Sequence, residues 1–146
     1  MENTNETGMS EIVSYLNERA ENMVRYSDKL SESITKIDDY IEKIAPKIGI
    51  RFNYQEPFFT DTKEHVGKVE YILSIRKDWG LYAVPNCEYL DTIVICRDGS
   101  RAMKKAAVKA LPAFLKRYAE IAEESEKEYS DISEKAFQIA DILGVE

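Results

Sequence analysis

The chain is poor in the residues that most often announce chemistry. Of its 146 residues one is histidine, His65, and two are cysteine, Cys87 and Cys96. That rules out paired CxxC motifs and histidine pairs on a helix, the usual spacings of metal sites. His65 lies between Glu64 and Val66 in a charged stretch, where a lone imidazole has no persuasive partner for acid–base work. The six glycines are scattered singly, so no glycine-rich loop is available to cradle a phosphate. Neither a nucleophile elbow nor a Ser-His-Asp order can be assembled. We therefore expect no enzymatic activity, no metal and no cofactor.

Long apolar runs are missing too. The longest, Ile93 to Cys96 and Ala110 to Leu115, fall far short of the roughly 20 residues a membrane span needs. The opening Met1 to Gly8 is polar and acidic, with no basic and then apolar leader, so the expected location is cytoplasmic and no membrane partner is expected. In that compartment the two thiols read as reduced spectators. The net charge of −7 opposes nonspecific attraction to nucleic acid or anionic lipid.

That charge is unevenly placed. Residues 97–117 hold Arg97, Arg101, Lys104, Lys105, Lys109, Lys116 and Arg117 against Asp98 alone, whereas residues 118–146 hold nine acidic residues against two lysines.

What the chain has in abundance is helical periodicity. Val13, Leu16, Ala20, Met23, Ser27, Leu30, Ile34, Ile37, Ile41, Ile44 and Ile48 recur in alternating steps of three and four, the spacing of a heptad seam. A seam of about five heptads cannot stay uncovered in water. The pattern predicts a helix over 9–48, capped by Ser10 and stopped at Gly49, after a disordered tail over 1–8. Pro46 is expected to kink or unwind its last turn.

A second helix is predicted over 99–143, capped by Asp98 or Ser100 and bent near Pro112. Its stripe includes Met103, Ala107, Phe114, Tyr118, Ile121, Tyr129, Ile132, Ile139 and Leu143. Between the helices the period changes to that of strands. Ile50 to Tyr54, Val69 to Ile75, Leu81 to Val84 and Tyr89 to Cys96 predict a four-stranded antiparallel β-meander over 50–96, with 55–67 as a loop.

The expected fold is thus α+β, one domain over 1–146. Two long helices pair as an antiparallel hairpin or coiled coil with the meander inserted between them. In that hairpin Asp38, Asp39 and Glu42 lie beside Lys104, Lys105 and Lys109 and set the register. The predicted seam is Leu16, Met23, Leu30, Ile34, Ile37, Ile41 and Ile44 on one helix, with Phe114, Tyr118, Ile121, Ile132 and Ile139 on the other.

Three functions fit this architecture. The first is a non-enzymatic assembly or adaptor protein. It forms a homodimer or higher oligomer through its helices and presents the β head or helix tips to a protein partner. In layout the chain resembles a prefoldin subunit, a helical hairpin with a central β segment. That resemblance implies holding of unfolded clients at the tips, where Ile12, Val13, Tyr15 and Leu16 would lie beside Phe137, Ile139, Ile142 and Leu143.

The second reading is a nucleic-acid-associated accessory protein. It would use the basic stretch 97–117, with Arg101, Lys104, Lys105 and Lys109 as phosphate contacts. The third is a small-molecule sensor with an aromatic pocket. Phe52, Tyr54, Phe58, Phe59, Tyr71, Trp79, Tyr82 and Tyr89 crowd into residues 50–90. They could fill a core, stack bases or line a groove. Phe58, Phe59 and Trp79 are the candidate partner-binding residues, because two consecutive aromatics in a loop are hard to bury locally.

Overall fold

A computed structural model describes the protein from Thr4 to Gly144. The first element, α1, spans Thr4–Ile48. The expected tail is therefore helical from residue 4, residues 1–3 lie outside the described chain, and Ser10 lies within α1 rather than capping it. Helix continues through Pro46 to Ile48. It stops at Gly49, whose left-handed backbone (φ 76°) suits a residue without a Cβ and directs its N–H to the Ala45 carbonyl at 2.8 Å.

Five strands follow: β1 Phe52–Asn53, β2 Phe59–Lys63, β3 Gly67–Ile75, β4 Leu81–Pro85 and β5 Ile93–Val94. All pairings are antiparallel. β1 and β2 both pair with the same edge of β3, Phe52 opposite Ile75 and Phe59 opposite Tyr71. The stretch Gln55-Glu56-Pro57 between them bulges out of an otherwise continuous strand. The region 55–67 therefore contains a strand, contrary to expectation. Its burial alternates with each residue, as it must on an edge with one solvated face. The predicted strand Tyr89 to Cys96 is cut to Ile93–Val94, because the chain turns at once into a short helix, α2, Ile95–Asp98. Gly99 closes α2 where a Cβ would stand 2.6 Å from the Ile95 carbonyl oxygen, so only glycine fits there.

The last helix, α3, spans Arg101–Ile142. Ser100 is its cap, accepting the Met103 N–H at 3.1 Å. Pro112 lies within it on the exposed side.

One sheet face, Val69, Tyr71, Leu73 and Ile75 of β3 with Leu81 and Ala83 of β4, is buried together with Ile34, Ile41 and Ala45 of α1 and Met103, Ala107, Leu111, Phe114 and Tyr118 of α3. The core is a layer of helix on one face of a sheet.

The two long helices run in the same direction, which corrects the expected antiparallel hairpin. Near the start of α3, Arg101 Nε donates to Ser27 Oγ at 3.1 Å and Lys104 Nζ to Ser31 Oγ at 3.0 Å. Further along, the Tyr118 hydroxyl donates to the Ile50 carbonyl, just past the end of α1, at 2.7 Å. Residue numbers rise together along both helices. The physical cause lies in the meander. Each antiparallel strand steps sideways by about 4.8 Å, so a chain entering at the β1 edge leaves at the β5 edge. There α2 touches α1 midway, through Cys96 and Asp38. Three such steps carry the chain back along α1 by about 14 Å, to the level of Asp38; α2 takes it on to Ser27, and α3 repeats the traverse that α1 made.

Candidate assembly surfaces

Parallel and staggered helices leave an arm at each end of the body. The α1 arm, Gly8 to Tyr26, projects beyond the start of α3, which lies beside Ser27. Its stripe residues Leu16 and Met23 are 58 % and 51 % exposed. The α3 arm continues past the end of α1, leaving Tyr129, Ile132, Phe137, Ile139, Ile142 and Leu143 exposed. Where it leaves the body, Ile48 and Ile50 face Ala122, Ser125 and Tyr129 across a groove of about 750 Å3.

The predicted seam therefore divides. Ile34, Ile41, Phe114 and Tyr118 are buried, Leu30, Ile37, Ile44 and Ile121 are half-buried, and Leu16, Met23, Ile132 and Ile139 are exposed. The client-holding tips implied by the prefoldin-like layout are not neighbours. Ile12 to Leu16 and Phe137 to Leu143 stand at opposite ends of the molecule.

The body that aims these arms is pinned at Asp38. This residue was expected on a solvated flank facing lysines, yet it is buried. Its Oδ1 accepts the Leu81 N–H at 2.7 Å, and its Oδ2 accepts the Cys96 thiol at 3.5 Å. One carboxylate so ties α1 to β4 and α2. Among the described residues the ion pairs join near neighbours in sequence, and none links Lys104, Lys105 or Lys109 to the acids of α1. Ser27, the one polar seam residue, and Ser31 receive the α3 cations instead.

Around Asp38 the electrostatics follow from crowding of acids. Burial, then the Asp38 charge, pushes the Cys96 thiol up to about 11, which keeps it protonated and unreactive at neutral pH. Partial burial against the β3–β4 turn, followed by the charge of Asp38, raises the Glu42 carboxyl above its usual range. The Tyr82 hydroxyl donates to Asp78, which lowers Asp78 and pushes Tyr82 up to about 12. Asp38, Asp39 and Glu42 bring carboxylate oxygens within 4.8 Å of one another. Asp38, the buried member, already has a partner on each oxygen.

The aromatics pack on one another. Phe52 lies 5.2 Å from Phe114 and 5.7 Å from Tyr118, ring centre to ring centre, and Tyr54 meets Phe114 edge-on. Phe58 and Phe59 are half-buried against the same core, with Phe59 5.9 Å from Tyr71. Their expected exposure in a loop is corrected by the strand they enter. Trp79 sits in the β3–β4 turn with a left-handed backbone, the Arg51 guanidinium 5.6 Å above its ring. Lys105 and Lys109 are exposed on the face of α3 away from the core, while Arg101 and Lys104 bend toward α1.

Sequence reasoning missed Asp38 as a clamp and Ser31 as a register contact. A charged residue beside an apolar seam and a serine on a polar flank carry no signal of their own. Among the described residues no helix is long and apolar enough to cross a membrane. No protein-family model, curated protein or solved structure matches the chain.

Proposed function

We propose that this chain is a non-enzymatic assembly protein whose α/β body holds two helical arms apart and offers their apolar stripes to other chains. The observation that carries this reading is the uncovered stripe of the α1 arm, where Leu16 and Met23 continue the spacing of the buried Ile34 and Ile41. A contiguous exposed apolar face on a monomer marks an interaction site. Pairing through the arms gives a homo-oligomer in the cytoplasm, and the arm ends left free present themselves to a protein partner.

Light scattering after size exclusion, at low and high salt with the 260 to 280 nm absorbance ratio, tests the reading. The expected mass is that of two chains or a multiple, with a clean protein spectrum at both salts. A monomer at every concentration overturns it. Nucleic acid that copurifies and strips off at high salt replaces it with a nucleic-acid accessory role for Arg101, Lys104, Lys105 and Lys109.

A further inference from the structure

The two arms differ in charge, and the difference bears on which one can meet its own copy. From Gly8 to Tyr26 the α1 arm carries Glu11, Glu18 and Glu21 against Arg19 and Arg25. The α3 arm, 119–144, carries eight acids against Lys127 and Lys135. Two α3 arms side by side repel, whereas two α1 arms are close to neutral.

The α1 arm is also long enough. Its 19 residues extend about 28 Å, and on the stripe face Met9, Ile12, Val13, Leu16, Met23 and Val24 are each at least 49 % exposed. At roughly 100 Å2 apiece these six supply about 600 Å2, most of the 800 Å2 or so per partner of a standard protein–protein interface.

Side-chain size sets the direction of pairing. In a parallel pair, equivalent stripe residues face each other, so Ala20 meets Ala20 and the central layer would be hollow, while Ser27 would have to leave Arg101 to meet Ser27. In an antiparallel pair centred between Leu16 and Ala20, Leu16 faces Ala20 of the second copy and Val13 faces Met23, and the seam ends with Met9 beside the Ser27–Arg101 contact. Each layer sets a larger residue against a smaller one, and the contact is self-complementary about a two-fold axis.

We infer that the α1 arm is a homodimerisation helix, pairing antiparallel with the α1 arm of a second copy about an axis near Glu18. This inference rests on the assembly reading above and names the partner of one arm. It leaves the acidic α3 arms at the far ends of the dimer.

Two single substitutions test it. Leu16→Cys and Ala20→Cys are prepared separately in the full chain, oxidised alone and as a mixture, and digested with trypsin, which cuts at Arg19 between the two positions. The expected cross-link joins peptide 1–19 to peptide 20–25 and forms only in the mixture. Cross-links formed by each variant alone show parallel pairing and overturn the inference.

Leu16→Glu keeps the test decisive should the thiols fail to react. Position 16 lies outside the core, so the body keeps its cooperative melt. Dimerisation is expected to weaken by at least 100-fold. A dimer that survives Leu16→Glu overturns the pairing of α1 arms while leaving assembly through another surface intact. A wild-type chain that is monomeric overturns both.

Discussion

From Leu30 to Ile48 the apolar stripe of α1 is covered by α3, the sheet and α2, while from Met9 to Met23 the same spacing of similar residues stays in solvent. Ile34 and Ile41 are 0 % and 1 % exposed, against 58 % for Leu16. The half that is covered has a body to pack on because α3 begins beside Ser27 and α2 meets Asp38. The other half extends past everything the chain can fold back over it. A stripe therefore states that a helix needs a partner, and the route of the chain settles whether that partner lies in the same molecule. The α3 helix repeats the lesson in mirror order, buried from Met103 to Tyr118 and exposed from Tyr129 onward.

The sharpest way to break this comparison is to place one charge in each half. Ile41→Asp buries an unpaired carboxylate and costs several kcal/mol, a large fraction of a typical total stability of about 5–15 kcal/mol. Its cooperative thermal transition is expected to vanish in circular dichroism. Leu16→Asp, measured in dilute solution, shifts stability by less than about 0.5 kcal/mol. Equal losses at the two sites would mean that the arm packs on the body.

A smaller effect probes what holds the covered half. Asp38→Ala leaves the Leu81 N–H without its acceptor and is expected to lower stability by about 1–3 kcal/mol, seen as a fall in the urea midpoint. Asp38→Asn, which keeps an acceptor, should recover part of that loss. At the other end of the covered stretch, Tyr118→Phe removes the bond to the Ile50 carbonyl. Its expected cost is about 0.5–1.5 kcal/mol, and a change no larger than the error of denaturation would show that the rings alone hold α3 against the end of α1.

The smallest effect is one of pH. Partial burial and the nearby Asp38 raise the folded-state pKa of Glu42, so between the unfolded and folded values the native chain binds more protons than the unfolded one. By linkage this group makes stability fall as pH rises through that window and level off above it. Glu42→Gln is expected to flatten this segment of a melting temperature against pH profile and to raise the plateau slightly at neutral pH. A steeper slope in the variant would place the proton elsewhere in the acidic cluster.

Both long helices, the glycine stop at Gly49 and the Ser100 cap were legible, since each depends on residues within one or two turns. The strand Phe59–Lys63 was not. Glu56-Pro57 interrupts the alternation, and an edge strand with polar outward residues looks like a loop until β3 pairs with it. The short fourth strand failed at Ile95–Asp98, where an apolar run of a few residues fits helix as well as strand. Asp38 failed for a different reason. A strict heptad count sets it one step beside the seam, although its i−4, i+3 and i+7 neighbours Ile34, Ile41 and Ala45 are all buried, and its partners on β4 and α2 arrive over 40 residues later.

Periodicity of three and four is a property of one helix, written in local backbone geometry and readable without knowing what covers it. For that reason the chain's own residues specified two long amphipathic helices, the antiparallel sheet between them and the surplus of apolar surface. Direction and coverage belong to a different scale. Whether α3 runs with α1 or against it depends on where the meander delivers the chain, which is set by strand number, sideways step and the Asp38 clamp acting together. The same stripes would serve a hairpin equally well. The sheet's sideways drift made the helices parallel, and that direction left an uncovered arm at each end.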